Sequence, residues 1–420
     1  MKREPKSWLT QQSGVTRIIL GILILAIASG AENIGDAPAG FDNKTNGAIG
    51  QDDFDSDSAT FSKVDGPSDG LGPVFNAESC VACHFSGGAI GGSSQIAELR
   101  AGSTQWTPSG QQFIPANVLL ATGDVIKNRS LINQRSTCAD AQSRVPQNSN
   151  VVATRLSLST LGDGFVEAVP DETFKRIAEN QNRQTQGRIH GEWIEVPVAE
   201  APGVTAVGRF GWKTQQASLL SFSADAYLNE MGVSTPLAPN ESTTACQYPG
   251  MTDPNDNMDD IQLFAAFMRA TKAPSRDTAL AVTPAAVAGA QIFSQTGCGT
   301  CHVQNMVTAP AGVVLLGGQY TVPAAIGGKQ FHPYSDFLLH DVGTGDGIVQ
   351  DPNHPETASK LRTMPLWGLR TRPQLMHDGL SPTYDHAILR HRGEALDVIR
   401  RYWGLTNQQR QLLFTFLRSL

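Results

Sequence analysis

The sequence predicts a mainly α-helical chain built from two small related helical units with long irregular loops. Three observations predict it. A Cys-x-x-Cys-His run occurs twice, as Cys80-Val-Ala-Cys83-His84 and as Cys298-Gly-Thr-Cys301-His302. A phenylalanine stands five residues before each run, Phe75 and Phe293, and each half closes on residues of matching helical spacing: Leu263, Phe267 and Arg269 in the first, Leu412, Phe416 and Arg418 in the second. Between the helical stretches lie Gly-, Ser-, Asn- and Pro-rich segments without sustained periodicity.

The chemistry of the repeated run follows from its spacing. Two thiols about one helical turn apart can add to the two vinyl groups of one porphyrin, and the next residue, histidine, then comes under the iron as its proximal ligand. A zinc half-site or a redox dithiol shares the Cys spacing but requires no histidine directly after the second cysteine, and here it follows in both copies. The expected cofactors are two covalently bound c-type haems, one on Cys80, Cys83 and His84 and one on Cys298, Cys301 and His302. Cytochrome c-like domains are small helical wraps around the porphyrin, which is why the motif carries the fold class.

The chain has 420 residues, 40% of them hydrophobic, enough for two or three domains with cores. The formal net charge is −7 and no basic block is present, so nucleic acid is not expected as a partner. Lys2, Arg3, Lys6 and Arg17 precede the apolar run Ile18 to Ile27, and the small residues Ala28 to Ala31 follow. The run is short for a membrane span. Residues 1–31 therefore read as a cleaved signal peptide, and the mature chain as an exported, periplasmic bacterial protein without a stable membrane span. An uncleaved anchor is the alternative. Four of the six cysteines belong to the two motifs; the remaining two, Cys138 and Cys246, either pair in an oxidising compartment or stand as separate thiols.

Taken in order, residues 32–68 are rich in Gly, Asp, Ser and Asn and read as a flexible leader. Residues 69–275 form the first haem domain with insertions, of which 85–150 reads as loops and short helices. Helices are expected at Asp171 to Asn182, about Gln215 to Met231, and Asp260 to Thr271, the last stopped by Lys272-Ala-Pro274. Residues 276–420 form the C-terminal cytochrome c-like domain. Thr283-Pro284 is an N-cap followed by proline at the first helical position, so a helix should run to Thr296 and deliver Cys298. A last helix should span Thr406 to Leu420.

The sixth iron position separates electron transfer from catalysis: two strong protein ligands give a relay, an open position lets peroxide bind. The candidate ligands are unevenly spread. His332, His340, His354, His377, His386 and His391 all follow the second motif, only His190 lies in the first unit, and no methionine stands between His84 and Met231. The first haem is therefore the expected substrate site and the second the electron relay, although Met231, Met251, Met258 or Met268 could reach the first iron. Peroxide cleavage needs an acid/base to move a proton between the oxygens, and Glu167 in Gly164-Phe-Val-Glu-Ala-Val-Pro170 is the candidate.

From Asp69 to Leu420 the chain resembles the bacterial di-haem oxidoreductase family, relatives of the di-haem cytochrome c peroxidases and of the di-haem enzyme that matures methylamine dehydrogenase. The ordered set that carries the resemblance includes Gly70 to His84, Gly208-Arg-Phe-Gly-Trp-Lys213, Glu230-Met-Gly-Val-Ser234, Tyr334 to Asp341, Arg362 to Gly368, His377-Asp-Gly379 and His391-Arg-Gly-Glu-Ala395. The resemblance implies that His391 is the distal ligand of the second haem, opposite His302, with Met364 and Met376 in reserve. It places Glu167 near the acid/base carboxylate of the relatives' first haem. Trp212 and Arg209 are singled out on chemistry: an aromatic between two haems can relay electrons and an arginine can pair with haem propionates, the alternative being a packed tryptophan and a surface arginine. Relatives also hold calcium between the haems; the acidic run Asp253 to Asp260 offers oxygen ligands but lacks a recognised loop pattern, and no calcium is assigned. The implied function is an exported, peroxidase-like di-haem c-type oxidoreductase, taking electrons from a small cytochrome or cupredoxin and using an oxidant such as hydrogen peroxide. The alternative is a non-catalytic di-haem electron-transfer cytochrome.

Overall fold

Side-chain caps set where several helices begin. The Thr283 hydroxyl accepts the Ala286 N–H at 3.3 Å, and the helix runs Pro284–Thr296 before Gly297 ends it at φ +90°, one residue ahead of Cys298. Thr406 and Gln409 form a reciprocal capping box that opens the last helix, Asn407–Arg418. Both starts fall where the sequence places them.

The computed structural model describes residues 34–420; the segment read as a signal peptide, 1–31, lies outside the described residues. The helices in chain order are α1 Gln51–Ser62, α2 Asp163–Glu167, α3 Asp171–Thr185, α4 Leu219–Ala226, α5 Asp259–Ala270, α6 Thr278–Ala281, α7 Pro284–Thr296, α8 Tyr384–Leu389, α9 Leu396–Trp403 and α10 Asn407–Arg418. Among the described residues no helix is long and apolar enough to cross a membrane.

The expectation of a mainly α chain is corrected by the strands. Among the described residues eighteen strands accompany the ten helices. The largest group lies where loops and short helices were expected: Ala97–Thr107 pairs antiparallel with Gly110–Ile114 on one side and with Val151–Leu156 on the other. Its main strand, Ala-Glu-Leu-Arg-Ala-Gly-Ser-Thr-Gln-Trp-Thr, buries only Ala101 and Gly102 fully. Backbone ladders hold this sheet more than an apolar face does, so it carries no alternating pattern to read. The Cys138–Cys246 disulfide ties this β-rich segment to the loop that follows Met231.

A second departure concerns the leader. Composition reads 32–68 as solvated, yet Phe54 and Phe61 on α1 are each 3% exposed. Phe61 packs on Phe267 at 4.9 Å and Phe264 at 5.9 Å between ring centroids, and its edge meets the His84 ring at 6.1 Å. In the C-terminal half Phe293 on α7 packs on Phe416 at 5.2 Å and lies 6.4 Å from the His302 ring. Phe61, not Phe75, therefore plays the part of Phe293, and α1 corresponds to α7. Phe75 sits on a two-residue strand.

The α7–α10 contact is close because Gly289 faces the Leu412 carbonyl, where an added Cβ would lie 2.1 Å from the oxygen. The larger apolar cluster joins α1, α2, α4 and α5 to Phe331, Phe337 and Trp367, and a second cluster gathers α7 and α10 around Tyr334 and Tyr402. Phe61→Ala should lower stability by about 3–5 kcal/mol, as for a core phenylalanine. Chemical denaturation checks this; a shift within about 0.5 kcal/mol, typical of surface positions, would restore the leader reading.

Candidate functional site

Each Cys-x-x-Cys-His run folds as a tight turn that brings its side chains to one cavity. The His84 N–H donates to the Cys80 carbonyl at 2.9 Å, and the His302 N–H to the Cys298 carbonyl at 3.0 Å. The first cavity, about 210 Å³, is lined by Cys80, Cys83 and His84; the second, about 240 Å³, by Cys298, Cys301 and His302. A carbonyl can only accept. His84 Nδ1 therefore donates to Leu158 O at 2.7 Å and His302 Nδ1 to Tyr334 O at 3.0 Å, which leaves each Nε2 with a free lone pair. Burial keeps both rings neutral, lowering His84 below its ordinary value and His302 to about 4. The same burial pushes all four thiols up, Cys83 to about 12.

Several basic side chains at the cavity walls keep one nitrogen without a partner. Arg100, Arg129 and Arg155 line the first, and Arg100 Nε, Arg129 Nε and Arg155 Nη2 are buried without a partner. Arg362 and Arg372 line the second, with Arg362 Nε and His377 Nδ1 likewise unpartnered. Burial lowers Arg129, Arg362 and Arg372 to about 10 each. Buried N–H groups left without a partner at a cavity wall suit anionic oxygen. A haem carries two propionates, so the residues present fit the group. The arginines were not legible in the sequence, because nothing in their spacing distinguishes them from surface charges.

Residues 125–420 match the family described as "Di-haem oxidoreductase, putative peroxidase". The chain belongs to this family. No curated protein matches. Among solved structures, the chain is similar to a hydrazine synthase of Kuenenia stuttgartiensis pressurised with xenon, with a TM-score of 0.40 and 14% identity over 99% of this chain and 100% of that one. It is also similar to a MauG-like protein associated with microbial copper homeostasis, with a TM-score of 0.42 and 14% identity over 94% of this chain and 95% of that one.

In this di-haem oxidoreductase the two cavities differ in the ligands they offer. His391 lines the second cavity with His302. Its Nδ1 donates to the Ala387 carbonyl at 2.9 Å, so its Nε2 is also free. Met364 and Met376 line the same cavity. In the first cavity His84 is the lining histidine, and Met231 and Met268 are the lining methionines.

Two sequence candidates lie elsewhere. Glu167 is fully buried but lines neither cavity. Arg269 donates to it from Nε at 2.6 Å and Nη2 at 2.9 Å, and the Leu219 N–H donates at 2.7 Å, so its carboxylate holds α2, α4 and α5 together. Arg209 also lines neither cavity. It pairs with Asp171, donates to the Val169 carbonyl at 2.7 Å and stacks 4.9 Å above the Phe174 ring. Both are corrected to structural roles. A charged residue type alone does not say which of two buried environments it serves.

Trp212 lines both cavities, as do Leu156, Ser157 and Leu158. Trp212 Nε1 donates to the Leu156 carbonyl at 2.8 Å, and the Leu156 N–H donates to the His377 carbonyl at 2.7 Å. One three-residue segment thus fixes Trp212 and, through Leu158, the His84 ring. Next to Trp212, Lys213 Nζ donates to the carbonyls of Thr357 at 3.0 Å, Ala358 at 2.8 Å and Lys360 at 2.6 Å and pairs with Asp346 at 3.0 Å. Burial draws Lys213 down to about 7, yet all four neighbours are acceptors, so the ammonium is the form the cage holds. Asp346 also pairs with Arg155 at 2.6 Å, and against burial these two cations hold it well below its ordinary value. Lys213→Met should cost about 3–5 kcal/mol by breaking this buried network. Thermal or denaturant unfolding checks it; a neutral substitution would show the cage to be dispensable.

Proposed function

We propose that this di-haem oxidoreductase is an exported c-type enzyme that reduces a peroxide. The observation that supports it is the inequality of the two cavities: His302 and His391 both offer a free Nε2 to the second, while His84 alone does so in the first. The haem held by Cys298, Cys301, His302 and His391 supplies electron relay, and that held by Cys80, Cys83 and His84 supplies binding and reduction of the oxidant. Trp212, in the wall common to both cavities, links the two. Arg100, Arg129 and Arg155 hold propionates at the first site, and Arg362 and Arg372 at the second.

The proton for oxygen–oxygen cleavage comes from the first cavity's own carboxylates in place of Glu167. Glu98 and Glu230 both line it. Burial, and then the Glu98 charge, hold Glu230 well above its ordinary value, the direction a proton-donating carboxyl needs. Export is supported by the N-terminal charge–apolar–small pattern and by the Cys138–Cys246 disulfide, which suits an oxidising compartment. A small cytochrome or cupredoxin is the expected donor to this acidic protein.

Two experiments test the proposal. Mass analysis should find two covalent haems, falling to one in the Cys80→Ser/Cys83→Ser variant; an unchanged count would overturn the attachment. The protein should consume hydrogen peroxide at the expense of a reduced small c-type cytochrome, and Glu230→Gln should slow this by about 10²-fold or more. A protein with both haems that leaves peroxide untouched is the electron-transfer cytochrome instead.

A further inference from the structure

One buried cluster has no part in the function as proposed so far. His340 is 2% exposed, Asp336 is fully buried and Glu394 lies on the turn just after His391. His340 Nε2 is 2.9 Å from Asp336 Oδ2, and His340 Nδ1 is 2.9 Å from Glu394 Oε2. His340 lines the second cavity, and its Nδ1 is 3.9 Å from Cys301 Sγ.

The protonation of this cluster follows from counting donors. Asp336 also accepts from Gln181 Nε2 at 2.6 Å and from the Leu338 N–H at 2.9 Å. Glu394 accepts the N–H groups of His190 and Asp341, both at 3.0 Å. The other contacts of these oxygens come from donors, so both carboxylates act as acceptors. Both imidazole nitrogens face such oxygens, so both donate, and the ring is an imidazolium. Burial opposes the charge, but Asp336 overcomes it and holds His340 well above its ordinary value. Cys301, Asp336 and His340 offer three donor atoms within 4.8 Å of one another, the spacing of a metal site. A thioether at Cys301 and two carboxylates on the ring leave no lone pair on His340 for an ion.

We propose that His340 is a positioning residue in the electrostatic sense: a fixed positive charge at the thioether edge of the second haem that raises its reduction potential, with Asp336 and Glu394 as opposing charges that lower it. The inference rests on attachment of that haem through Cys301. In a buried setting a unit charge at this range changes a one-electron equilibrium by about tenfold, equivalent to about 59 mV.

Spectroelectrochemical titration of the holoprotein tests it with changes of opposite sign. His340→Gln should make the second haem about tenfold harder to reduce at a fixed potential, and Glu394→Gln about tenfold easier. A loosened structure would move both variants the same way, by exposing the haem. Asp336→Asn repeats the second arm if Glu394→Gln does not fold. Shifts of one sign in both variants, or none, overturn the inference while leaving the proposed function intact. A wild-type protein without a covalent second haem overturns the attachment and the inference together, and the haem count reads that out before any titration.

Discussion

Backbone carbonyls hold the imidazoles of this protein, and the rest of its chemistry depends on that. A buried histidine must satisfy the nitrogen it does not use. Leu158, Tyr334 and Ala387 satisfy Nδ1 of His84, His302 and His391, and so turn each Nε2 into a free base at a cavity. The carbonyls sit on rigid neighbours. Leu158 lies two residues past the strand Val151–Leu156, and Ala387 lies within α8, four residues before the histidine it holds. Burial then keeps the rings neutral, the state in which they can bind iron.

The same segment that fixes His84 also makes the wall between the two cavities. Leu156 takes the Trp212 indole N–H, and Leu158 takes the His84 ring N–H, two residues further on. A shift of this strand end would move a ligand and the intervening aromatic together. On the far side of Trp212, the Lys213 cage ties the wall to Asp346 and through it to Arg155 at the first cavity. Buried ion pairs are costly to desolvate and weak as sources of stability, but removing one partner strands the other. Their value here is placement: they bind loop carbonyls, wall and cavity into one arrangement.

What could be read in the sequence is what covalent chemistry or local capping dictates. The two Cys-x-x-Cys-His runs were legible because their spacing is local in the chain, and α7 and α10 because Thr283-Pro284 and Thr406 announce their starts. Trp212 and His391 lie in an ordered set of family segments, and both line cavities. The missed elements have weak local signals. Helix α1 hides two core phenylalanines among Asp, Ser and Gln, and the strand Ala97–Thr107 has almost no buried face. Glu167 and Arg209 were misplaced because their partners, Arg269 and Asp171, are brought to them only by the tertiary fold. Arg100, Arg129 and Arg155 were invisible for the same reason.

The central claim is that the two haem sites are unequally ligated, with His391 on the second alone. Electron paramagnetic resonance of the fully oxidised protein and of His391→Ala tests it most directly. The expected spectrum has one high-spin and one low-spin ferric signal, and in His391→Ala the low-spin signal becomes high-spin while the other is unchanged. Two low-spin signals in the wild type, or a low-spin signal that survives in His391→Ala, would contradict it.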